Sequence, residues 1–390
     1  MPHYVERRWE GHPGAMGGRR ARASFRYRAF VPDQISGLDP AVSFDTAAAA
    51  ADAERAIRAI NARATVSGLE AVGPLLLRSE AVASSRIEGY QVSPLNVAKA
   101  LIDPRAARGS ARTVAANVTA MEAAIARADD PAPITKGDIE ALHQILMARD
   151  PSATPGRTRE VQNWLGGRLD SPLDAAFVPP PPEEVGALLG DLVEFLARDD
   201  IPPVAQAAIA HAQFETIHPF IDGNGRVGRC LIHVVLRHGG VAPLFVPPVS
   251  IVMAARPTSY VAGLVDFREG RIADWVTSFA GACAVAAAHA ADLADAVVAL
   301  QADWTRRAGK PRAGSAAAKL IGLLPAKPIV SAPTIHGTIG TSQQRALAAL
   351  KVLADADVVR QISEGSYDRQ FAATELFDLV TTYEARIGSM

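Results

Sequence analysis

The chain has 390 residues, a formal net charge of −1 and 49% hydrophobic residues. This near-zero charge excludes a general electrostatic attraction to nucleic acids or membrane surfaces, so such a partner would have to bind a local patch. The length allows two or three domains with well-buried cores. Cys230 and Cys283 lie in apolar helical stretches without metal-ligand spacing, which is typical of buried cysteines in a reducing compartment.

The first segment, residues 1–28, is basic. It carries seven arginines against only two glutamates, Glu6 and Glu10. It lacks the apolar stretch of a signal peptide, so the sequence predicts a cytoplasmic protein. We expect a flexible, solvated tail here, with a nucleic-acid arm as the alternative.

Helical periodicity dominates the centre of the chain. We predict an N-terminal helical region over residues 29–130, with one helix at about 69–89, and a second helical domain over residues 131–306. Between residues 150 and 182 the period disappears, and glycines and prolines predict turns with a short hairpin strand at 173–178. The predicted fold is therefore all-α with one irregular insertion.

The most apolar long segment, residues 275–300, is rich in alanine and contains His289, Asp292 and Asp295. A membrane-spanning helix needs about 20 predominantly apolar residues, and these three polar residues interrupt the apolar stretch. We therefore predict a long, mostly buried helix and no membrane partner.

A Gly/Pro/Lys-rich linker over residues 307–314 precedes the C-terminal region, residues 315–390. Three predicted helices and a hairpin follow in the order of a winged-helix domain, which makes this region a small α+β unit. It contains seven basic and seven acidic residues. Because this balance gives no basic footprint, we favour a packing or partner role over DNA binding.

The most informative stretch, HPFIDGNGRVGR, runs from His218 to Arg229. Its Gly-Asn-Gly turn precedes a predicted helix, so backbone N–H groups converge at a helix N-terminus, a geometry that suits a phosphate. Asp222 is a candidate Mg²⁺ ligand, since Mg²⁺ binds one or two carboxylates together with phosphate oxygens. A Walker P-loop and a dinucleotide fingerprint are excluded because the required spacings are absent.

Two arginines and a histidine complete this stretch. Arg226 and Arg229 share one face of the first helical turns, where their guanidinium groups can bind two different phosphates. His218 is a candidate base for an attacking hydroxyl. Each residue alone has an ordinary structural explanation, but together they predict nucleotidyl or phosphoryl transfer, and spacing alone does not decide between the two.

Residues 218–229 match every defining position of the signature of the Fic-domain family, so the chain resembles that family. The resemblance implies an all-α Fic fold with a short β-hairpin flap, followed here by the winged-helix-like domain. It implies transfer of AMP from ATP to a Ser, Thr or Tyr hydroxyl of a target protein, with His218 as the base and Asp222 as the Mg²⁺ ligand. The implied nucleotide-binding residues are Gly223, Asn224, Gly225, Arg226, Val227, Gly228 and Arg229.

A second stretch, SSRIEG at residues 84–89, resembles the inhibitory helix signature of Fic proteins whose inhibitory helix is N-terminal. Glu88 at a helix end can pair bidentately with Arg229 and deny that arginine to the γ-phosphate. The following Gly89 is a natural helix stop. The alternative is an ordinary exposed glutamate near a helix C-terminus.

Other candidate residues lie outside the two signatures. Phe177 and Val178 resemble part of the family's flap, whose extended edge pairs with a target strand, although a rigid proline-rich connector is the alternative. Tyr260 is a candidate adenine-facing aromatic, although such a residue on a helix is more often part of a core.

The resemblance leaves some functional alternatives open. The same site can catalyse the reverse reaction, in which AMP is hydrolysed from a modified protein. The hypothesis from another class is a DNA-binding regulator whose central domain senses nucleotide. Self-modification and a homodimer also remain open.

Overall fold

The computed structural model describes residues 1–12, 14, 19–39, 43–67, 69–168, 170–363 and 369–388. The chain divides into two compact units that interleave along the sequence. The first unit comprises residues 1–51, 119–239 and 258–280, and the second unit comprises residues 52–118, 240–257 and 281–390. Each unit contains segments that lie far apart in the chain, and the successive domains predicted from the sequence stay a prediction.

The fold is mostly helical, as predicted. Short 3-10 helices span Leu69–Val72 and Pro151–Ala153. The α-helices are α1 (Arg19–Arg22), α2 (Phe44–Ser67), α3 (Gly73–Ile87), α4 (Pro94–Ile102), α5 (Gly109–Ala128), α6 (Lys136–Met147), α7 (Pro182–Leu196), α8 (Pro203–Ile217), α9 (Asn224–His238), α10 (Val249–Ala255), α11 (Pro257–Arg268), α12 (Ile272–Arg307), α13 (Ala316–Leu323), α14 (Ala332–Ile339), α15 (Gln343–Asp355) and α16 (Thr374–Gly388).

In the part of the chain that the structure describes, two small antiparallel sheets accompany the helices. In the first unit, β1 (His3–Trp9) pairs with β2 (Phe25–Val31) along its whole length. In the second unit, β3 (Ile329–Val330), β4 (Arg360–Gln361) and β5 (Phe371–Ala372) form a sheet in the order β3-β5-β4.

The strands β1 and β2 overturn the prediction of a flexible N-terminal tail. Along β2, residues 25–28 alternate between half-buried and exposed side chains, which is the period of a strand with one covered face. The covered face of β1 includes Trp9, which packs edge-to-face on Trp164 at 5.4 Å between ring centroids. The Phe30 N–H donates to the Val178 carbonyl at 2.9 Å, and these contacts order the segment.

Helices α8 and α9 pack against each other at the centre of the first unit, with α7 against α8 and α6 against α9. Every residue from Val204 to Ile217 of α8 is buried, and so is every residue from Asn224 to Leu236 of α9. A helix that is buried on all sides belongs to the core of a large unit. The loop between these two helices, residues 218–223, is therefore held at both ends by the core.

In the second unit, α3 packs against α10 and α4, and α16 packs against α10 and α4. Its core includes Leu76, Trp304 and Leu350, which links α3, α12 and α15. The C-terminal helices α13–α15 and the strands β4 and β5 occur in the predicted order. The predicted hairpin turn at residues 364–366 lies outside the described residues, and the winged-helix assignment stays a prediction.

Helix α12 is long and apolar enough to cross a membrane by length and composition alone, and 39% of its most apolar window is buried. The predicted long helix is thus present, but less of it is buried than the prediction of a mostly buried helix states. Both cysteines are buried, as predicted, and neither of them forms a disulfide.

Candidate active site

His218 lies at the C-terminus of α8 in a left-handed conformation, with φ 50° and ψ 61°. This conformation costs a residue other than glycine roughly 1–3 kcal/mol, so the surrounding structure must hold it. The imidazole Nδ1 faces the Glu215 carbonyl at 3.4 Å, a long contact. A carbonyl only accepts, so a hydrogen bond at this contact requires the neutral tautomer with its proton on Nδ1 and its lone pair on Nε2. Nε2 is then the atom suited to act as a base.

Arg159 holds the backbone around His218. Its side chain is 2% exposed, and its own backbone N–H donates to the Pro219 carbonyl at 2.9 Å. Burial lowers the pKa of the guanidinium to about 10, which keeps it charged at neutral pH. The guanidinium donates to the carbonyl oxygens of His218 (2.8 Å), Val161 (3.1 Å), Pro180 (2.6 Å) and Ile217 (3.3 Å).

Two asparagines close the remainder of the loop. The Asn163 amide donates to the carbonyls of His218 and Phe220 at 3.3 and 3.0 Å. Asn224 both accepts from the Phe220 N–H and donates to the Phe220 carbonyl, each at 2.8 Å. The Asn224 side chain is therefore hydrogen-bonded within the loop, and any contribution of Asn224 to phosphate binding would come from its backbone N–H.

Gly223 precedes α9 with φ 80°, a conformation that favours glycine. A Cβ at this position would also lie 3.1 Å from the Met147 sulfur. Gly228 has a different role, since a Cβ there would lie 2.6 Å from Glu215 Oε1. Gly228 lets α9 approach α8, and the Val227 side chain is 1% exposed in the core. Any nucleotide contact of Val227 or Gly228 is therefore a backbone contact.

The first two turns of α9 carry two buried cations. Arg226 and Arg229 are 2% and 1% exposed, and Arg226 lies 3.6 Å from the Asp222 carboxylate. The N-terminus of α9 adds its partial positive charge. This arrangement is suited to a polyanion such as a triphosphate.

Asp222 is the candidate Mg²⁺ ligand, and its side chain is 55% exposed. One of its carboxylate oxygens accepts the Gly223 N–H at 2.6 Å. Within the described residues, no group of three or more His, Cys, Asp or Glu side chains is placed to hold a metal ion. A single accessible carboxylate fits Mg²⁺ that takes its remaining ligands from phosphate oxygens and water.

His143 is a part of the site that the sequence did not reveal. Its ring stacks on Phe220 at 3.8 Å between centroids, and the two planes are 3° apart. The Gly156 N–H donates to Nδ1 at 3.0 Å, so Nε2 carries the proton and donates to the Asp222 carbonyl at 3.1 Å. Burial lowers the pKa of His143 to about 4.

Protonation of His143 is therefore expected to destabilise the fold in acid. Its folded pKa, about 4, lies below the unfolded value of 6.5, so its stabilising effect is complete above pH 6.5 and is lost as pH falls towards 4. This loss amounts to about 2–3 kcal/mol, since each pKa unit corresponds to about 1.36 kcal/mol. Urea unfolding at pH 7 and pH 4.5 measures it.

The control for this pH effect is a pair of variants. His143→Gln should show a smaller loss of unfolding free energy between the two pH values than the wild type. His238→Gln, at an exposed position at the end of α9, should behave like the wild type. Equal losses in wild type and His143→Gln would contradict the assignment.

In the flap, residues 165–178, an antiparallel bridge joins Leu165 and Phe177, and among the flap residues described (165–168 and 170–178) the short strand predicted at 173–178 does not form. The Leu165 N–H donates to the Phe177 carbonyl at 2.8 Å, and the Phe177 N–H donates back at 3.2 Å. Arg268 lies over the Phe177 ring at 4.0 Å. Val178 is buried, and its carbonyl accepts from Phe30. Val178 therefore anchors the flap. The backbone N–H and carbonyl of Phe177 are already hydrogen-bonded to Leu165.

Tyr260 lies in the core of the first unit. Its side chain is 8% exposed, and its hydroxyl lies 2.9 Å from His211 Nε2. Burial lowers the pKa of His211 to about 3, with a further decrease from the charge of Arg229. This placement agrees with the core alternative, and an adenine contact of Tyr260 stays a prediction.

Glu88 lies in the second unit, directly after α3. It is exposed and forms the C-cap of the helix, with its N–H directed at the carbonyls of Ser85 and Arg86. Gly89 follows with φ 84°, so the chain leaves the helix where the sequence predicts. Arg86 pairs with Glu384 of α16 at 2.7 Å within the same unit.

Residues 133–236 match the model of the Fic/DOC family, and residues 48–126 match the model of the Fic/DOC family N-terminal region. The chain is 32% identical over 138 residues to the protein adenylyltransferase fic-1 of Caenorhabditis elegans, a match that covers 35% of this chain and 25% of that protein. It is 34% identical over 117 residues to the protein adenylyltransferase Fic of Drosophila erecta, which covers 29% of this chain and 22% of that protein. The chain thus spans about a quarter of the length of the curated relatives that it matches.

Among solved structures, a Fic family protein from Desulfovibrio desulfuricans G20 has a similar fold. Its TM-score is 0.53 at 23% identity, and the match covers 85% of this chain and 96% of that chain. At this identity the likeness supports the fold alone. The signature at the α8–α9 junction lies within the first of the two family matches, so residues 133–236 form a Fic/DOC domain, preceded by the N-terminal region of that family at residues 48–126.

Proposed function

We propose that the protein is an adenylyltransferase that transfers AMP from ATP to a Ser, Thr or Tyr hydroxyl of a target protein. The observation that carries this proposal is the junction of α8 and α9, where His218 begins the six-residue loop that leads to a helix N-terminus with two buried arginines. A base beside an anion site suits the attack of a hydroxyl on a phosphate. The relatives named protein adenylyltransferase support AMP as the transferred group.

In this reaction, His218 Nε2 accepts the proton of the target hydroxyl while the hydroxyl oxygen attacks the α-phosphorus of ATP. The new P–O bond forms as the bond to the β-phosphate oxygen breaks, and pyrophosphate leaves. Arg226 and Arg229 neutralise the negative charge of the phosphates, and the N–H groups at the start of α9 bind phosphate oxygens. Asp222 would hold Mg²⁺, which would neutralise further charge on the phosphates.

The target segment is proposed to lie along the flap. Phe177 presents an extended backbone, and extended peptides bind by adding a strand to such an edge. Because the Phe177 N–H and carbonyl pair with Leu165, the target would use the neighbouring backbone groups of the flap. Recognition through main-chain groups accepts many sequences, including a segment of a second copy of this chain, so self-modification belongs to the same proposal.

The transferred group distinguishes adenylylation from phosphorylation. With ATP labelled at the α-phosphate, we expect the label on protein after denaturing electrophoresis. With ATP labelled at the γ-phosphate, we expect none, because the γ-phosphate leaves in pyrophosphate. Label transferred from the γ-position would overturn the proposal in favour of a kinase.

We also propose that Glu88 inhibits the enzyme by competing with the γ-phosphate for Arg229. The support is the SSRIEG sequence, the position of Glu88 at a helix end, and the exposed state of its carboxylate-bearing side chain. Carboxylates bind a guanidinium in the same planar, bidentate way as phosphates do. In this proposal, ATP binds in the productive orientation only when Glu88 does not occupy Arg229.

A further inference from the structure

The buried guanidinium of Arg159 has unusual partners. A buried charge is normally paired with an opposite charge, because its removal from water is costly. In the described residues, the hydrogen bonds of this side chain all go to main-chain carbonyl oxygens. The guanidinium keeps its charge, and these four carbonyls take the place of a carboxylate.

Two of the four carbonyls belong to the end of α8. Ile217 is the last residue of this helix and His218 is its C-cap, so their carbonyls have no partner further along the helix. The C-terminus of a helix carries partial negative charge, and a cation there is stabilising. Arg159 therefore caps α8 at the point where the chain turns into the left-handed conformation of His218.

The third important partner is Pro180, two residues after the flap. One nitrogen of the guanidinium, Nη2, donates to both Pro180 and Ile217, at 2.6 and 3.3 Å. A single rigid group thus connects the base-bearing loop with the segment that anchors the flap. Arginine suits this position because its donors form a fixed planar fork.

We propose that Arg159 is a positioning residue, which sets the place of the His218 imidazole relative to the flap and hence to the target hydroxyl. This inference rests on the proposed function, since it assigns the distance between the base and its substrate. Arg159 touches neither nucleotide nor target in this proposal. It acts only through the backbone of His218 and the flap.

The test compares Arg159→Lys with the wild type in AMP transfer. Lysine keeps the charge but has one nitrogen, which reaches fewer of the four carbonyls. We expect kcat to fall about 100-fold, because a displacement of about 1 Å in a reacting group costs about that factor. The KM for ATP should change less than threefold, since the phosphate-binding residues lie on α9. The control Arg157→Lys, at an exposed position two residues away, should match the wild type.

A second measurement does not depend on activity. In proteins labelled with ¹⁵N histidine, the His218 ring should give one set of resonances with the Nδ1–H tautomer in the wild type. In Arg159→Lys we expect a second set or a change of tautomer, while the thermal midpoint stays within a few degrees. This readout separates failure of the inference from failure of the proposed function, because it needs no target and no ATP.

Three outcomes would overturn the inference. The first is an unchanged kcat in Arg159→Lys when the wild type transfers AMP. The second is a parallel loss of ATP affinity and thermal stability, which indicates a general structural role. The third is an unaltered His218 spectrum in Arg159→Lys. If the wild type transfers no AMP, the spectrum alone decides.

Discussion

Replacement of His218 by alanine is expected to lower AMP transfer by about 10²- to 10⁴-fold, the usual contribution of a positioned general base. The alanine variant keeps the arginines of α9, so the affinity for ATP should change little. Transfer of label from α-labelled ATP measures the first effect, and calorimetry with ATP and Mg²⁺ measures the second. A selective loss of transfer would identify the imidazole as the group that takes the proton.

The left-handed backbone at position 218 calls for a second variant. Alanine in this conformation carries the same backbone strain, so a loss of activity in His218→Ala does not by itself separate the missing base from a moved loop. Asparagine tolerates the left-handed region better and has no basic nitrogen, so His218→Asn removes the base and spares the backbone. His238→Ala, at an exposed position in the same unit, serves as the matched control. Transfer that survives in His218→Asn would contradict the assigned role.

The central helices and the signature were accessible from the sequence because their information is local. The helical domain predicted over residues 131–306 contains α8 (Pro203–Ile217) and α9 (Asn224–His238), and α9 is the helix predicted to follow the Gly-Asn-Gly turn. Helix α8 ends shortly before Pro219, which has no backbone N–H, and α9 ends before Gly239. The phosphate-binding geometry follows from this local order, since a turn before a helix exposes N–H groups wherever it occurs.

The strands β1 and β2 were missed because composition outweighed periodicity. Seven arginines in the first 28 residues suggested a solvated tail. Yet Arg8 and Arg26 face each other as cross-strand partners on the exposed side, whereas Trp9 and Phe25 pair on the half-buried side. A strand tolerates many charges when they occupy alternate positions, and its pairing partner lies about twenty residues away.

The roles of the residues that hold the loop 218–223 could not be predicted from the sequence. Arg159, Asn163 and His143 bind main-chain carbonyl and N–H groups, which every residue possesses. Their partners cannot be inferred from side-chain types or spacing. Only the fold brings α6 and the segment after it beside the end of α8, so this part of the site required the structure.

The Glu88→Gly variant is expected to raise AMP transfer about 10- to 100-fold. Removal of the carboxylate leaves Arg229 available to the γ-phosphate, and hydrogen bonds to charged groups contribute roughly 1.5–3 kcal/mol, or one to two factors of ten. Glu88 is an exposed C-cap, so the substitution should cost little folding stability. Initial rates with α-labelled ATP, at ATP concentrations below and above KM, provide the measurement.

Two further variants separate the effect of the Glu88 charge from the backbone flexibility that glycine adds. An assay of AMP release then distinguishes the forward reaction from the reverse reaction. Glu88→Gln keeps the size and hydrogen-bonding capacity but removes the charge, so it should raise transfer nearly as much as glycine does. Glu88→Asp keeps the charge on a shorter side chain and should remain partly inhibited. If the main activity is instead removal of AMP, Glu88→Gly will abolish release of AMP from a modified protein, because Glu88 would then align the attacking water. Equal transfer rates in the wild type and Glu88→Gly would exclude Glu88 as the inhibitory group.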